Sequence, residues 1–426
     1  MNAHLVTPVS ARACFLAVPM PNVHPTCTET EGSREHVHIT NSLFCCVSGG
    51  RRMRINRITA VLGTALAVSI ALVGCQNAGD TRTAVNTQKV ARPLAPVVFP
   101  AGVEVSTKPQ EMPSWKIPNI GEAAEAYYGP DSTHLIAQVK SPLAAKSPRG
   151  LAGFLTKTFT DSGTEEVLIN DRGWDGCSYF FPDNQRLVWT SIRDHMDMPL
   201  GNWSDWRNYP QGAELYVSDR KGKILQRLTN NTQYEAEVTV SPDGRWIVFG
   251  RMTNGNMDLW IMNSDGTGEK QITFTEDDQE GAPYFLPDNE TILFRAWKAS
   301  EYDQKPTPMT IYTIKRDGSG RVPRTFTHDM NWAPYPTPDG QHFLFVRAET
   351  PRNWEVYLGY LDGKTPPKRI TFDEGFDGFP AISPDGRKMV WTSSRSAGPG
   401  AGFMSGLQLH VMDVTGLNLG PRGKRQ

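Results

Sequence analysis

One dipeptide constrains this chain more than any other feature. Pro-Asp recurs six times, as Pro130-Asp131, Pro182-Asp183, Pro242-Asp243, Pro287-Asp288, Pro338-Asp339 and Pro384-Asp385. The intervals are 52, 60, 45, 51 and 46 residues, the spacing of an architecture built from one repeated supersecondary unit. Each copy lies between two short β-patterned runs. In the clearest, 237–240 leads through Ser241-Pro242-Asp243-Gly244 into 246–249. Serine first, proline presetting φ at the second position and glycine at the fourth describe a type I turn. A third run (258–262), the turn Ser264-Asp265-Gly266 and a fourth run (270–274) complete the unit. The fifth copy repeats this order with 355–358, Asp362-Gly363 and 368–371. Four short strands per unit is the pattern of a propeller blade. The expected fold is therefore all-β: a six-bladed β-propeller over residues 98–416, four antiparallel strands per blade, with a tail at 417–426.

Closing such a ring requires a strand from elsewhere. The sixth unit shows only three runs, the last ending at Met412, and fourteen residues remain. The stretch 98–107 is expected to supply the fourth, so that an N-terminal strand closes the last blade and covers an open sheet edge.

Upstream, Met53 is followed by Arg54 and Arg57 and preceded by Arg51 and Arg52, and 58–74 is uncharged. Seventeen residues are short for a membrane span and suit the apolar region of a secretory signal. The run ends in Leu72-Val73-Gly74-Cys75, similar to the lipobox of bacterial lipoproteins, with Cys75 carrying the lipid. The expected division is 1–52 as a non-native extension from an upstream start, 53–74 as signal peptide and 75–97 as a flexible tether. Gln76 in place of Asp points to the outer membrane.

The repeat motifs resemble a family. Ser-Pro-Asp-Gly, the Thr-Ser-x-Arg of Thr190–Arg193 and Thr392–Arg395, and Asp-Gly followed by Gln271-Ile-Thr or Arg369-Ile-Thr are similar to the repeats of TolB-like periplasmic β-propellers. The resemblance covers about 98–416 and implies a periplasmic propeller. TolB itself carries an α/β domain ahead of its propeller, where this chain has a tether, so the resemblance does not extend to a role in the Tol–Pal system.

Strand order assigns the loops. Pro-Asp and Asp-Gly turns share one face and are short, whereas the opposite face carries the long loops 193–213, 298–309 and 396–406. Long loops on a rigid scaffold are where binding concentrates. Six of the eleven tryptophans fall there: Trp174, Trp203, Trp206, Trp297, Trp332 and Trp354. Aromatic groups on such a face suit a sugar, an aromatic ligand or a partner peptide. Seven residues before each repeat proline stand Ala123, Asp175, Glu235, Glu280, Asn331 and Asp377, expected to ring the mouth of the central channel. A second ring holds Lys140, Arg193, Arg251, Arg295, Arg347 and Arg395. Two readings follow: inter-blade ion pairs, which is preferred, or carboxylates around a hard cation or ligand ammonium. No metal and no cofactor is assigned.

No catalytic constellation appears. A Gly-x-Ser-x-Gly elbow, a Walker A loop, a dinucleotide fingerprint and His-Glu-x-x-His are all lacking. Six cysteines show no metal spacing. Metal-dependent oligosaccharide lyases built on a related propeller use histidines, which makes His195 and His328 the residues to watch for a carbohydrate-active alternative. Lys+Arg 44 against Asp+Glu 45 leaves no basic footprint for nucleic acid. The expected function is a lipid-anchored, monomeric binding module for an envelope protein or polysaccharide, touching the membrane only through its lipid. Its candidate contacts are Trp174, Asp175, His195, Trp203, Trp206, Glu235, Glu280, His328, Trp332 and Asp377.

Overall fold

A computed structural model describes residues 95–141, 153–398 and 402–422, all within the unit Val85–Gln426. The extension 1–52, the signal 53–74, Cys75 and all but the end of the tether lie outside the described residues. Residues 123–168, 175–227, 234–271, 278–323 and 331–369 each form a four-stranded antiparallel sheet in chain order. The sixth sheet joins Asp377–Ile382, Lys388–Ser393 and Gln408–Asp413 to two strands from the N-terminal side. The molecule is a six-bladed β-propeller.

The repeat turns form for the reason their residues imply. In the third blade the Gly244 N–H donates to the Ser241 carbonyl at 2.8 Å. Ser241 Oγ donates to Asp243 Oδ1 at 2.6 Å, and Asp243 Oδ1 also accepts from the Arg245 N–H. Gly244 sits at φ 73°, a left-handed conformation that glycine adopts without a Cβ clash. Ser132, Asn184 and Asn289 hold the same corner in other blades at φ 56–61°.

Between blades the contacts are apolar and registered. Seven residues after each repeat proline stand Ala137, Trp189, Phe249, Phe294, Phe345 and Trp391, all completely buried. Each aromatic ring contributes roughly 2–3 kcal/mol by leaving water, so five of them at matching places make the layers that hold neighbouring blades together.

Closure is N-terminal, but its register differs from expectation. Ser114–Lys116, not the 98–107 stretch, pairs with Gln408–Asp413. Val105–Ser106 then pairs outside it as a fifth strand. The physical reason is Trp115: it is 2% exposed, packs edge-on against Phe99 at 5.5 Å, and anchors the shorter segment in the core. At the other end, residues 417–422 pack rather than trail. Leu419 is fully buried, and its carbonyl accepts from the Asp339 N–H at 3.1 Å.

Candidate functional site

The first strand of every blade carries a register skip, between Ala124 and Tyr127 in blade one and at the matching place in the other five. Such bulges increase twist and re-aim side chains. Their result is a ring that counting from the prolines did not find. Five residues before each repeat proline, Glu125, Cys177, Glu237, Ala282, Ala333 and Phe379 all line one central cavity of about 470 Å³. All but Cys177 hold φ between 47° and 56°, a conformation that costs a non-glycine residue roughly 1–2 kcal/mol.

Below that ring the channel is filled. Three residues before the prolines, Tyr127, Tyr179, Tyr284 and Tyr335 converge: Tyr284 meets Tyr335 at 4.9 Å, Tyr127 stacks on Tyr335 at 5.9 Å, and the Tyr179 and Tyr335 hydroxyls lie 3.2 Å apart. Burial raises the pKa of all four phenols. The cavity is thus a pocket with a tyrosine floor, open toward the long-loop face.

Its walls come from those loops. In 193–213 a short 3-10 turn, Trp206–Asn208, is capped by Asp205, whose side chain accepts from the Arg207 N–H. Trp206 then packs edge-on against Trp297 (5.4 Å) and Tyr302 (5.9 Å), which belong to blade four. Arg207 holds Asp303 through two bonds of 3.0 and 3.2 Å. The loops of blades two and four are therefore laced together. Trp203 lies against Gly176, where a Cβ would meet its ring at 2.4 Å. That close approach requires glycine. Trp332 and Trp354 meet at 5.6 Å on the far wall.

Of the candidate contacts named from sequence, Trp174, Asp175, Trp203, Trp206 and Trp332 line this cavity, together with Trp297, Trp354 and Arg295. The candidate tryptophans are half-buried. The other three carboxylates do not ring the mouth: Glu235, Glu280 and Asp377 are at most 1% exposed and turned into their blades. Glu235 takes Arg251 at 2.7 Å, Asp377 takes Arg395 at 2.6 Å, and Asn331 accepts from Arg347 at 3.1 Å. These contacts run within blades, not between them. Blade four breaks the pattern: Glu280 pairs with Arg321 at 3.0 Å, and Arg295 crosses to Glu237 of blade three at 2.7 Å. Gly281 makes room for that crossing, since a Cβ there would stand 2.1 Å from Glu237 Oε2. Among the described residues Asp175 has no arginine partner; its oxygens accept from Thr156 and Asn170. Burial pushes Asp175 up to about 6, Glu235 up to about 7 and Glu280 up to about 8.

The two histidines stand in separate settings. His195 lies in its loop 2.9 Å from Arg227 and 3.5 Å from Glu214, while exposed His328 is 3.6 Å from Glu301. Among the described residues no group of three or more His, Cys, Asp or Glu is placed to hold a metal ion. Cys177 faces the cavity beside Glu125, and burial raises its thiol pKa well above the usual value, which keeps it protonated and unreactive.

No family model matches the chain. An uncharacterized protein of Agrobacterium fabrum (strain C58) is 25% identical over 266 residues, 55% of this chain and 86% of that protein. Similar solved structures include a putative TolB from Agrobacterium tumefaciens, with TM-score 0.48 and 18% identity over 69% of this chain and 90% of that one. TolB from Acinetobacter baumannii gives 0.49 and 16%, over 68% and 65%. An oligogalacturonate lyase from Vibrio parahaemolyticus gives 0.44 and 13%, over 75% and 99%.

Proposed function

We propose that this chain is a lipid-anchored, periplasm-facing binding module that takes a group from a protein partner into the cavity on its long-loop face. The observation that carries the reading is the cavity itself. It is concave, aromatic-walled and built from loops laced across a rigid ring, the usual form of a preformed recognition site. Support for the envelope placement comes from the basic segment, the apolar run and the lipobox ending at Cys75. A protein partner suits the walls better than a polysaccharide. Trp206, Trp297, Trp332 and Trp354 spend their faces and edges on one another, which leaves a socket for an inserted side chain in place of flat platforms for sugar rings. The lyase alternative needs His195 and His328 to converge on a substrate, and their separate settings give it no support.

Affinity capture by the full chain from its own solubilised envelope tests this. The wild type is expected to retain a discrete protein. Gly176→Ala, which drives Trp203 out of place, should reduce that retention at least tenfold while the protein still folds. Retention that ignores the substitution, or that is carried by polysaccharide, would contradict the reading.

A further inference from the structure

The cavity holds more charge than its apolar walls require, and its charges are unequally answered. Among the described residues five charged side chains line it: Glu125, Asp175, Glu237, Arg295 and Lys305. Glu237 and Arg295 neutralise each other at 2.7 Å. Asp175 is 2% exposed and spends its oxygens on Thr156 and Asn170. Lys305 is exposed at the rim, its Nζ donating to the Tyr302 carbonyl at 2.8 Å and lying 3.7 Å from the Tyr302 ring centre. Glu125 alone is left. Among the described residues no basic side chain pairs with it, and its carboxyl meets the Cys177 thiol and the field of Glu237.

The repeat supplies an internal comparison. Glu125 occupies the bulge position that Ala282 and Ala333 fill in blades four and five, at nearly the same φ: 54° against 48° and 47°. The bulge therefore needs no carboxylate. An unanswered acid among aromatic rings is costly to place there, and nothing among the described residues recovers that cost. A cation brought from outside would.

Resting on the binding reading above, we propose that the group this cavity takes is an organic ammonium on an apolar stem, with Glu125 as its counter-charge. In a protein partner the ammonium is a lysine side chain or a free N-terminus. Apolar residues of the same ring, Ala282 on the opposite blade with Ala333 and Phe379, receive the stem.

Affinity should then follow the ionisation of Glu125. Burial pushes its carboxyl up to about 7. The titratable or charged groups facing it are Cys177, Glu237 with its Arg295, and the hydroxyls of Tyr127, Tyr234 and Tyr284, whose pKa values burial raises. Those phenols and the thiol stay neutral through this range. A lysine ammonium, with pKa about 10.4, stays protonated over the same range, so its binding strengthens as pH rises from 6 to 8, whereas an α-ammonium begins to lose its proton at about 7.7 and binds best near neutrality.

Tryptophan emission of the full chain, titrated into the millimolar range, reads this out. The probes are Nα-acetyl-lysine methylamide, phenylalanine amide with its free ammonium, and neutral Nα-acetyl-phenylalanine amide. At pH 7, where both amines carry their proton, one or both ammonium probes should bind at least tenfold tighter than the neutral one, and which does so identifies the source. Glu125→Gln should remove that preference and flatten its pH dependence; Glu125→Ala, the residue already tolerated at two equivalent bulges, serves if the amide variant misfolds. Equal binding of charged and neutral probes, or an ammonium preference that survives both variants, would overturn the proposal while leaving the cavity a binding site. Failure of all three probes, with envelope capture that Gly176→Ala does not reduce, would overturn the binding reading as well.

Discussion

Removing residues up to 117 is expected to abolish cooperative folding, whereas removing residues up to 95 should leave the melting transition unchanged. The longer deletion takes away Ser114–Lys116 and exposes the hydrogen-bonding edge of Gln408–Asp413, a template for aggregation. It also empties the Trp115 site. Loss of one buried tryptophan costs about 3–5 kcal/mol, and Ile117, 4% exposed, goes with it. Set against the roughly 5–15 kcal/mol that holds a typical domain folded, that removes most of the margin. A deletion ending at 110 keeps Glu111 and the pairing strand, and should melt close to the full chain. Calorimetry and light scattering of the three truncations check this. Equal melting of the deletions ending at 95 and 117 would mean that the ring closes without the N-terminal strand.

The second large effect is expected at Arg395. Its guanidinium holds Glu111 at 3.0 and 3.2 Å and Asp377 at 2.6 Å, with all three side chains 8% exposed or less. Its charge is therefore the centre of a buried triad that ties the N-terminal segment to the last blade. Arg395→Met strands two buried carboxylates, and breaking a buried pair in this way costs about 3–5 kcal/mol. The sign with pH follows. Burial already raises the Asp377 carboxyl, and without the arginine it rises further. A raised carboxyl destabilises once solution pH exceeds its ordinary unfolded value and more so up to its folded one, so the variant should recover stability as pH is lowered toward 5. Glu111→Gln should cost less, because Asp377 still answers Arg395. Within the triad the carboxylates are already answered by Arg395, so melting of the wild type is expected to be indifferent to EDTA and to excess Ca²⁺ or Mn²⁺. A metal-dependent shift in the wild type, absent from Arg395→Met, would show that the acids serve an ion.

The number of blades, the turn chemistry and the face carrying the loops were legible because each rests on local residue types repeated six times. The closing strand was misplaced for a physical reason. Ser114-Trp115-Lys116 is too short to show an alternating pattern, and what fixes it is the burial of one tryptophan against a core that sequence does not display. The channel ring was missed because a bulge breaks period-two counting. Offsets from the prolines led to Asp175, Glu235, Glu280 and Asp377, whereas the strand twist delivers Glu125 and Cys177 to the cavity. One signal was present: tyrosine three residues before the proline in four of six repeats, an aromatic position too regular for a solvent-facing site. Partner choice was the least legible. Arg251 stands opposite Glu235, whereas Arg295 stands opposite Gly281, one residue out of step, so its side chain leaves the other face of the strand, reaches Glu237 across the blade boundary and leaves Glu280 to Arg321.

The central claim is that the long-loop face receives a protein through its cavity. Its most direct test places the photo-reactive residue p-benzoylphenylalanine at Met404, a 45% exposed residue of the cavity rim, and separately at Lys221 on the short-turn face, in the full chain within its own envelope. One discrete protein adduct is expected from position 404, lost in Gly176→Ala, and none from position 221. Equal labelling from both positions, or an adduct at 404 that persists when Gly176 is replaced, would contradict it.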